Sequence, residues 1–187
     1  MTPAPGATLY SDDFESASTW TLNPAGDDNA VAGTWSTGAT QQTRFQDSIL
    51  QPANAASGNR ALMTGPAAGA TVGTNDIDGG KTSIRSPLIT LPADRGYQLS
   101  LDYYLAHLWN ATAADYLRIS LETRSGNRQL LLEQMGAARN RNAEWQAFSA
   151  DLSAWAGQSI YLLIEAADGG AGSIVEAGVD KLRITYQ

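Results

Sequence analysis

The side chains in this sequence best placed to do chemistry are carboxylates. They fall in four groups: Asp12-Asp13-Phe14-Glu15, Gly26-Asp27-Asp28-Asn29, Asn75-Asp76-Ile77-Asp78-Gly79-Gly80, and Glu176 with Asp180. Closely spaced carboxylate and amide oxygens suit a hard cation, because calcium takes six to eight oxygen ligands, and glycines let the backbone turn inward around it. Asp13, Glu15, Asp27, Asp76, Asp78 and Asp180 are therefore the candidate metal ligands, with calcium in a structural role. The closing stretch carries the strongest argument. Glu176, Gly178, Asp180, Leu182, Ile184 and Tyr186 share one parity, and in a strand one parity is one face. That pattern aims Asp180 at the packed side, where an unpaired carboxylate is costly and calls for a positive partner. The competing reading of each acidic group is turn chemistry, since Asp, Asn and Gly tolerate left-handed backbone and form Asx turns. Asn75 to Gly80 begins like an EF-hand loop but lacks the bidentate Glu downstream. With no Cys and one His, zinc is disfavoured.

A second chemistry is open to the aromatics. Tyr104, Trp109, Tyr116 and Trp155 are candidates for exposure, and aromatic faces stack on sugars. Tyr104 and Tyr116 lie on the parity opposite the apolar residues of their strands, with Asp102 and Arg118 beside them to hydrogen-bond. Tyr104, Trp109, Tyr116 and Arg118 form the candidate ligand-binding set; exposed aromatics are also simply good strand formers. Nothing points to catalysis. His107 is the sole histidine, no Gly-x-Ser-x-Gly elbow is present, and no Gly-x-Gly-x-x-Gly follows a strand.

The elements that must position these groups are short strands. The 187 residues are 43% hydrophobic and include 18 Gly, enough for one sizeable core built with many turns. Residues 1–8 read as a Pro/Ala/Gly linker and 9–187 as the domain. Tyr97–Leu105, Asp115–Leu121 and Ser159–Ala166 alternate cleanly. Asn23–Thr43, Arg44–Ala56 and Gly65–Thr74 read as loops, and only Leu152–Trp155 could make a helical turn. The fold expected is an all-β, two-sheet antiparallel sandwich of jelly-roll type. A net charge of −7 argues against nucleic acid and anionic membrane surfaces as partners. No apolar run approaches the ~20 residues that span a bilayer, and no signal peptide is visible after Met1.

Four pieces in order carry a resemblance: Asp12-Asp13-Phe14-Glu15 with Trp20; Gly26-Asp27 then Gly33-Thr34-Trp35; Asn75 to Gly80 then Ser86-Pro87; and Ile174 to Asp180. Together they resemble the jelly-roll domains appended to secreted bacterial zinc carboxypeptidases and other metallopeptidases, and more distantly the MAM domains of animal cell surfaces. Lys181 stands where such domains often carry a second Asp. The resemblance implies a calcium-stabilised, non-catalytic accessory domain, secreted by a bacterium and attached to a parent catalytic domain. It would stabilise the parent or bind a protein or polysaccharide substrate or matrix; a carbohydrate-binding module is the alternative.

Overall fold

The computed structural model describes residues 3–66, 71–170 and 172–187. Parts of two expected loops, residues 67–70 and Ala171, lie outside the described residues, as do Met1 and Thr2 of the expected linker. The strands are β1 (Thr8–Asp12), β2 (Thr21–Leu22), β3 (Trp35–Ala39), β4 (Thr43–Phe45), β5 (Ser48–Gln51), β6 (Arg60–Thr64) and β7 (Gly80–Arg85) in the first half. The second half supplies β8 (Ile89–Thr90), β9 (Tyr97–His107), β10 (Tyr116–Thr123), β11 (Arg128–Met135), β12 (Gln146–Asp151), β13 (Ser159–Asp168) and β14 (Val175–Tyr186). A 3₁₀ turn at Ser153–Trp155 is the helical element, so no helix among the described residues is long and apolar enough to cross a membrane.

Two antiparallel sheets form the sandwich. The first runs β12-β9-β14-β6-β3, with β1 also on β14; the second runs β11-β10-β13-β7-β2, with β8 also on β13. The alternation seen in the sequence places Leu99, Leu101, Leu117, Ile119, Leu121, Ile160, Leu162 and Ile164 in the core between them. Trp35 is fully buried there and its indole N–H donates to the Thr82 carbonyl at 3.2 Å, joining the sheets. At the entrance Asp12 accepts from the Phe14 amide and the Trp20 indole, both at 2.9 Å, which holds Phe14 in the core despite its φ of 55°.

The last strand departs from simple alternation. Asp180 faces Asp102 on β9, yet Arg183 faces Ser100, so β14 carries one extra residue over that interval. Lys181, at φ 54°, absorbs it as a β-bulge. The bulge reverses parity: Val175, Ala177 and Val179 enter the core before it, Leu182 and Ile184 after it. Asp180 therefore does not share a face with Leu182 and Ile184. With Glu176 and Gly178, it points to the outer side of the first sheet.

That outer side is covered. The stretch expected to be surface loop at Arg44–Ala56 contains the β4–β5 hairpin, whose Leu50 and Gln51 are fully buried. Leu50 packs with Ala61, Met63, Tyr104, Ala106, Leu108 and Ala143 in a second apolar cluster. Tyr104 is thus no sugar platform. It is completely buried, with Trp145 edge-on at 4.9 Å and its own ring against Gly178. Gly178 is required by this close approach, since a Cβ there would overlap the ring. Gly178→Ala should cost about 1–3 kcal/mol by overpacking, which thermal melts would read as a fall of roughly 3–10 °C in Tm. An unchanged Tm would mean that Tyr104 has room to retreat.

Candidate functional site

With one sheet covered by its own hairpin, the outer face of the second sheet presents partly exposed Lys81, Arg85, Tyr116, Arg118 and Tyr161 around buried Ser83, Ser120, Glu122, Leu163 and Ala167. Registers define it row by row. Met135, Tyr116, Ala167 and Lys81 lie across the strands, then Glu133, Arg118, Glu165 and Ser83, then Leu130, Ser120, Leu163 and Arg85, then Arg128, Glu122 and Tyr161. Each residue faces out because its chain neighbours, such as Leu117, Ile119, Ile160, Leu162 and Ile84, are in the core.

The charges on this face are laced together. Arg118 pairs with Glu133 at 2.7 Å, Glu122 takes Arg85 at 3.1 Å and Arg128 at 2.8 Å, and Lys81 reaches Asp27 at 2.9 Å and Glu165 at 3.5 Å. Two guanidiniums also lie over tyrosine rings: Arg118 over Tyr116 at 3.9 Å and Arg85 over Tyr161 at 4.3 Å. Four cations meet four carboxylates, so the face is electrically balanced on a chain of net charge −7. Burial raises the Tyr116 phenol, with Glu165 adding to it, so its hydroxyl stays protonated and can donate.

The acidic candidates separate into different environments. Asp27 is exposed, tied to Lys81, and its pKa is lowered by that bond. Asp13 is exposed, caps the Glu15 amide at 3.3 Å, and lines a 460 Å³ cleft beside the bulge with Ser57, Ser100, Lys181 and Arg183. Glu15 and Asp180 are brought together by the 56–60 loop. Asp180 accepts from the Ser57 and Lys181 amides at 2.8 and 2.7 Å, and Glu15 from the Asn59 and Arg60 amides, both at 2.9 Å. Burial raises the Asp180 pKa, and the Glu15 charge adds to the rise.

Asp76 sits elsewhere, in a file of buried acids at the end of the sandwich with Asp168, Asp115 and Glu176. Burial, then Asp78, pushes Asp76 up to about 6; burial, with a contribution from Asp76, pushes Glu176 up to about 7. Asp78 itself is exposed. No three Asp, Glu or His side chains among the described residues converge on one point as they stand.

Trp109 is 67% exposed on the loop after β9, away from the registered rows. Trp155 is half-buried and packs on the main core. His107 is buried, with Nδ1 at 3.0 Å from the Leu108 carbonyl and its pKa lowered by burial. Sequence reasoning missed Tyr161, Arg85, Glu122 and Glu165. Tyr161 was findable, since it lies opposite in parity to Ile160, Leu162 and Ile164. Asp115 and Asp168 gave no signal, because a turn carboxylate reads the same whether exposed or buried.

The two packed antiparallel sheets define an all-β domain of jelly-roll type. Known structures agree on the fold. The K1 cleaved adhesin domain of Lys-gingipain from Porphyromonas gingivalis superposes with TM-score 0.57 at 19% identity, over 96% of this chain and 98% of that one. The CBM22-1 xylan-binding domain of Paenibacillus barcinonensis Xyn10C gives 0.52 at 16%, over 99% and 97%. The C-terminal family 22 carbohydrate-binding module of Clostridium thermocellum Xyn10B gives 0.51 at 11%, over 98% and 97%. No protein-family model and no curated protein matches the sequence.

The Glu176 shift sets a pH dependence. Its folded pKa of about 7 lies above the ordinary 4.5, so the folded chain keeps a proton that the unfolded chain has released. Stability therefore falls as pH rises from about 4.5 through 7, by about 3 kcal/mol from this group. Glu176→Gln, which can still accept from Gln51, should flatten that slope in urea melts run with chelator. It should also make the protein more stable than wild type at pH 7.5.

Proposed function

We propose that this chain is a non-catalytic accessory domain of a secreted bacterial hydrolase, and that it holds a neutral polysaccharide along the outer face of the second sheet. One observation carries the reading: on that face two tyrosines stand among cations and carboxylates that cancel. Sugar hydroxyls both donate and accept, so they suit a surface that alternates guanidinium donors with carboxylate acceptors. Tyrosine rings offer apolar planes to the C–H faces of pyranose rings. A polyanion would meet Glu122, Glu133 and Glu165, and a polycation would meet the three arginines. The 460 Å³ cleft at the bulge has no aromatic wall. Two of the domains with this fold are carbohydrate-binding modules of Xyn10C and Xyn10B, and one is an adhesin domain of Lys-gingipain. Those sources, with the motif resemblance, support a hydrolase parent. The metallopeptidase parent is supported by the motifs alone.

Neutral xylan is the first ligand to try, because one neighbour of this fold is a xylan-binding domain. In affinity electrophoresis Tyr116→Ala and Tyr161→Ala should each weaken retention roughly tenfold, about 1.4 kcal/mol. Both residues are half-buried at the surface, so Tm should stay within about 3 °C. Wild-type migration unaffected by every neutral polysaccharide tried would remove the reading.

A structural calcium between Glu15 and Asp180 belongs to the same proposal. Neither carboxylate forms an ion pair among the described residues. Gly58, at φ 60°, lets the Glu15 carboxylate pack against the 56–60 loop in space that a Cβ would occupy, which fixes that carboxylate beside Asp180. Glu15 and Asp180 would hold the ion, which would supply the positive charge that their shared setting lacks and fasten the 56–60 loop. An ion bound only by the folded state adds roughly 3 kcal/mol at a hundredfold excess over Kd. EDTA should lower Tm by about 5–10 °C, calcium should restore it, and Asp180→Asn should blunt the response. A melting curve indifferent to both additions would show that these carboxylates serve the loop amides alone.

A further inference from the structure

We propose a second divalent-cation site, separate from Glu15 and Asp180, in which Asp76 and Asp168 bind calcium where the 75–80 turn meets the end of β13. The argument starts from charge. Asp76 is 3% exposed, and Asp115, Asp168 and Glu176 are equally buried. None of the four forms an ion pair among the described residues. Buried carboxylates without cations are expensive unless hydrogen bonds satisfy them.

Three of the four accept hydrogen bonds. Asp115 accepts from the Gly169 and Gly170 amides at 2.9 Å and the Thr112 amide at 2.7 Å. Glu176 accepts from Gln51 at 3.0 Å. Asp168 takes the Ser173 hydroxyl at 2.6 Å and the Gly79 amide. Asp76 is different, because its Oδ1 is buried and accepts nothing. Its charged neighbours are Asp78 and Asp168, and Glu176 feels its field in turn. An orphaned, buried oxygen lies in the field of other carboxylates, which is the arrangement a cation resolves.

The backbone holds this geometry. Gly80 pairs with Asp168, the Ile77 amide donates to Val175 at 3.0 Å, and the Val31 amide donates to Asp78 at 2.9 Å. The turn bearing Asp76 is thereby fastened to the end of β13, the start of β14 and the loop before β3. All the donors are oxygens, which selects a hard cation. Three carboxylates do not close on one point, so the ion takes Asp76 and Asp168 and completes its shell with main-chain carbonyls and water. Calcium tolerates such irregular shells, whereas magnesium demands a near-ideal octahedron.

The test is calcium titration by calorimetry on the decalcified full chain, paired with thermal melts. Wild type should bind two ions, Asp76→Asn and Asp180→Asn one each, and the double variant none. Asp76→Asn should also melt higher than wild type in EDTA, because it deletes an uncompensated buried charge, yet gain less from calcium. Asp168→Asn provides a second route should Asp76→Asn fold poorly. A wild type that binds one ion, lost with Asp180→Asn and kept by Asp76→Asn and Asp168→Asn, overturns the site. So does a protein that binds no calcium and is stabilised only by acid, since a proton then does the ion's work. If Asp180→Asn changes nothing while Asp76→Asn removes an ion, the Glu15–Asp180 reading fails and this one stands.

Discussion

The single extra residue in β14 governs the layout of the molecule. A strand with one unbroken alternation would have sent Glu176, Gly178 and Asp180 into the same core as Leu182 and Ile184. Lys181 in the left-handed region breaks the alternation, and both halves of the strand then bury apolar side chains between the sheets. The acidic set is displaced outward onto the first sheet, which creates the need for a cover. The β4–β5 hairpin, the 56–60 loop and Trp145 answer it, with Gln51 donating to Glu176, Ser57 to Asp180 and Trp145 to the Asn54 carbonyl. Lys181 itself swings back to Asp102 at 2.6 Å.

Covering one sheet leaves the molecule one-sided. The proposed ligand contact falls on the second sheet, whose rows are set by β10 and β13. On that proposal the contact rests on rigid elements rather than on loops, with the arginines already oriented by carboxylates and rings. That preorganisation lowers the ordering cost of binding.

Much of the fold was legible because β9, β10 and β13 alternate without interruption, and alternation is a direct record of which face is buried. Tyr116 and Arg118 could be placed on an outer face for the same reason. Tyr104 shows the limit. Its parity is legible, but a strand's pattern cannot say whether its outer face meets water or a hairpin far upstream in the chain. The β4–β5 segment announces itself poorly, since it buries Gln51 and Ser48 beside Leu50 and has no periodic stripe. The bulge was hidden for a different reason: parity reasoning assumes a constant period of two, and Lys181 is an unremarkable residue for a conformation that usually advertises itself with Gly or Asn. The burial of Asp168 and Asp115 is decided by where distant turns land, so no local pattern encodes it.

The pairing of β1 with β14 has a mechanical side. The two strands are antiparallel, and the Gly6 amide bonds to Tyr186 at their open end, with Thr8 opposite Thr185 and Asp12 opposite Leu182 further in. Tension applied to the two chain ends would load these hydrogen bonds one after another, as a zipper, rather than all at once in shear. A domain fastened this way yields at low force from its termini. The opening would run inward past Asp12 and Leu182 and then reach Glu15, just beyond the end of β1, and Asp180. An ion held between those carboxylates would be a stop at the end of the zipper, so that the first strand could peel away while the sandwich behind it stayed shut.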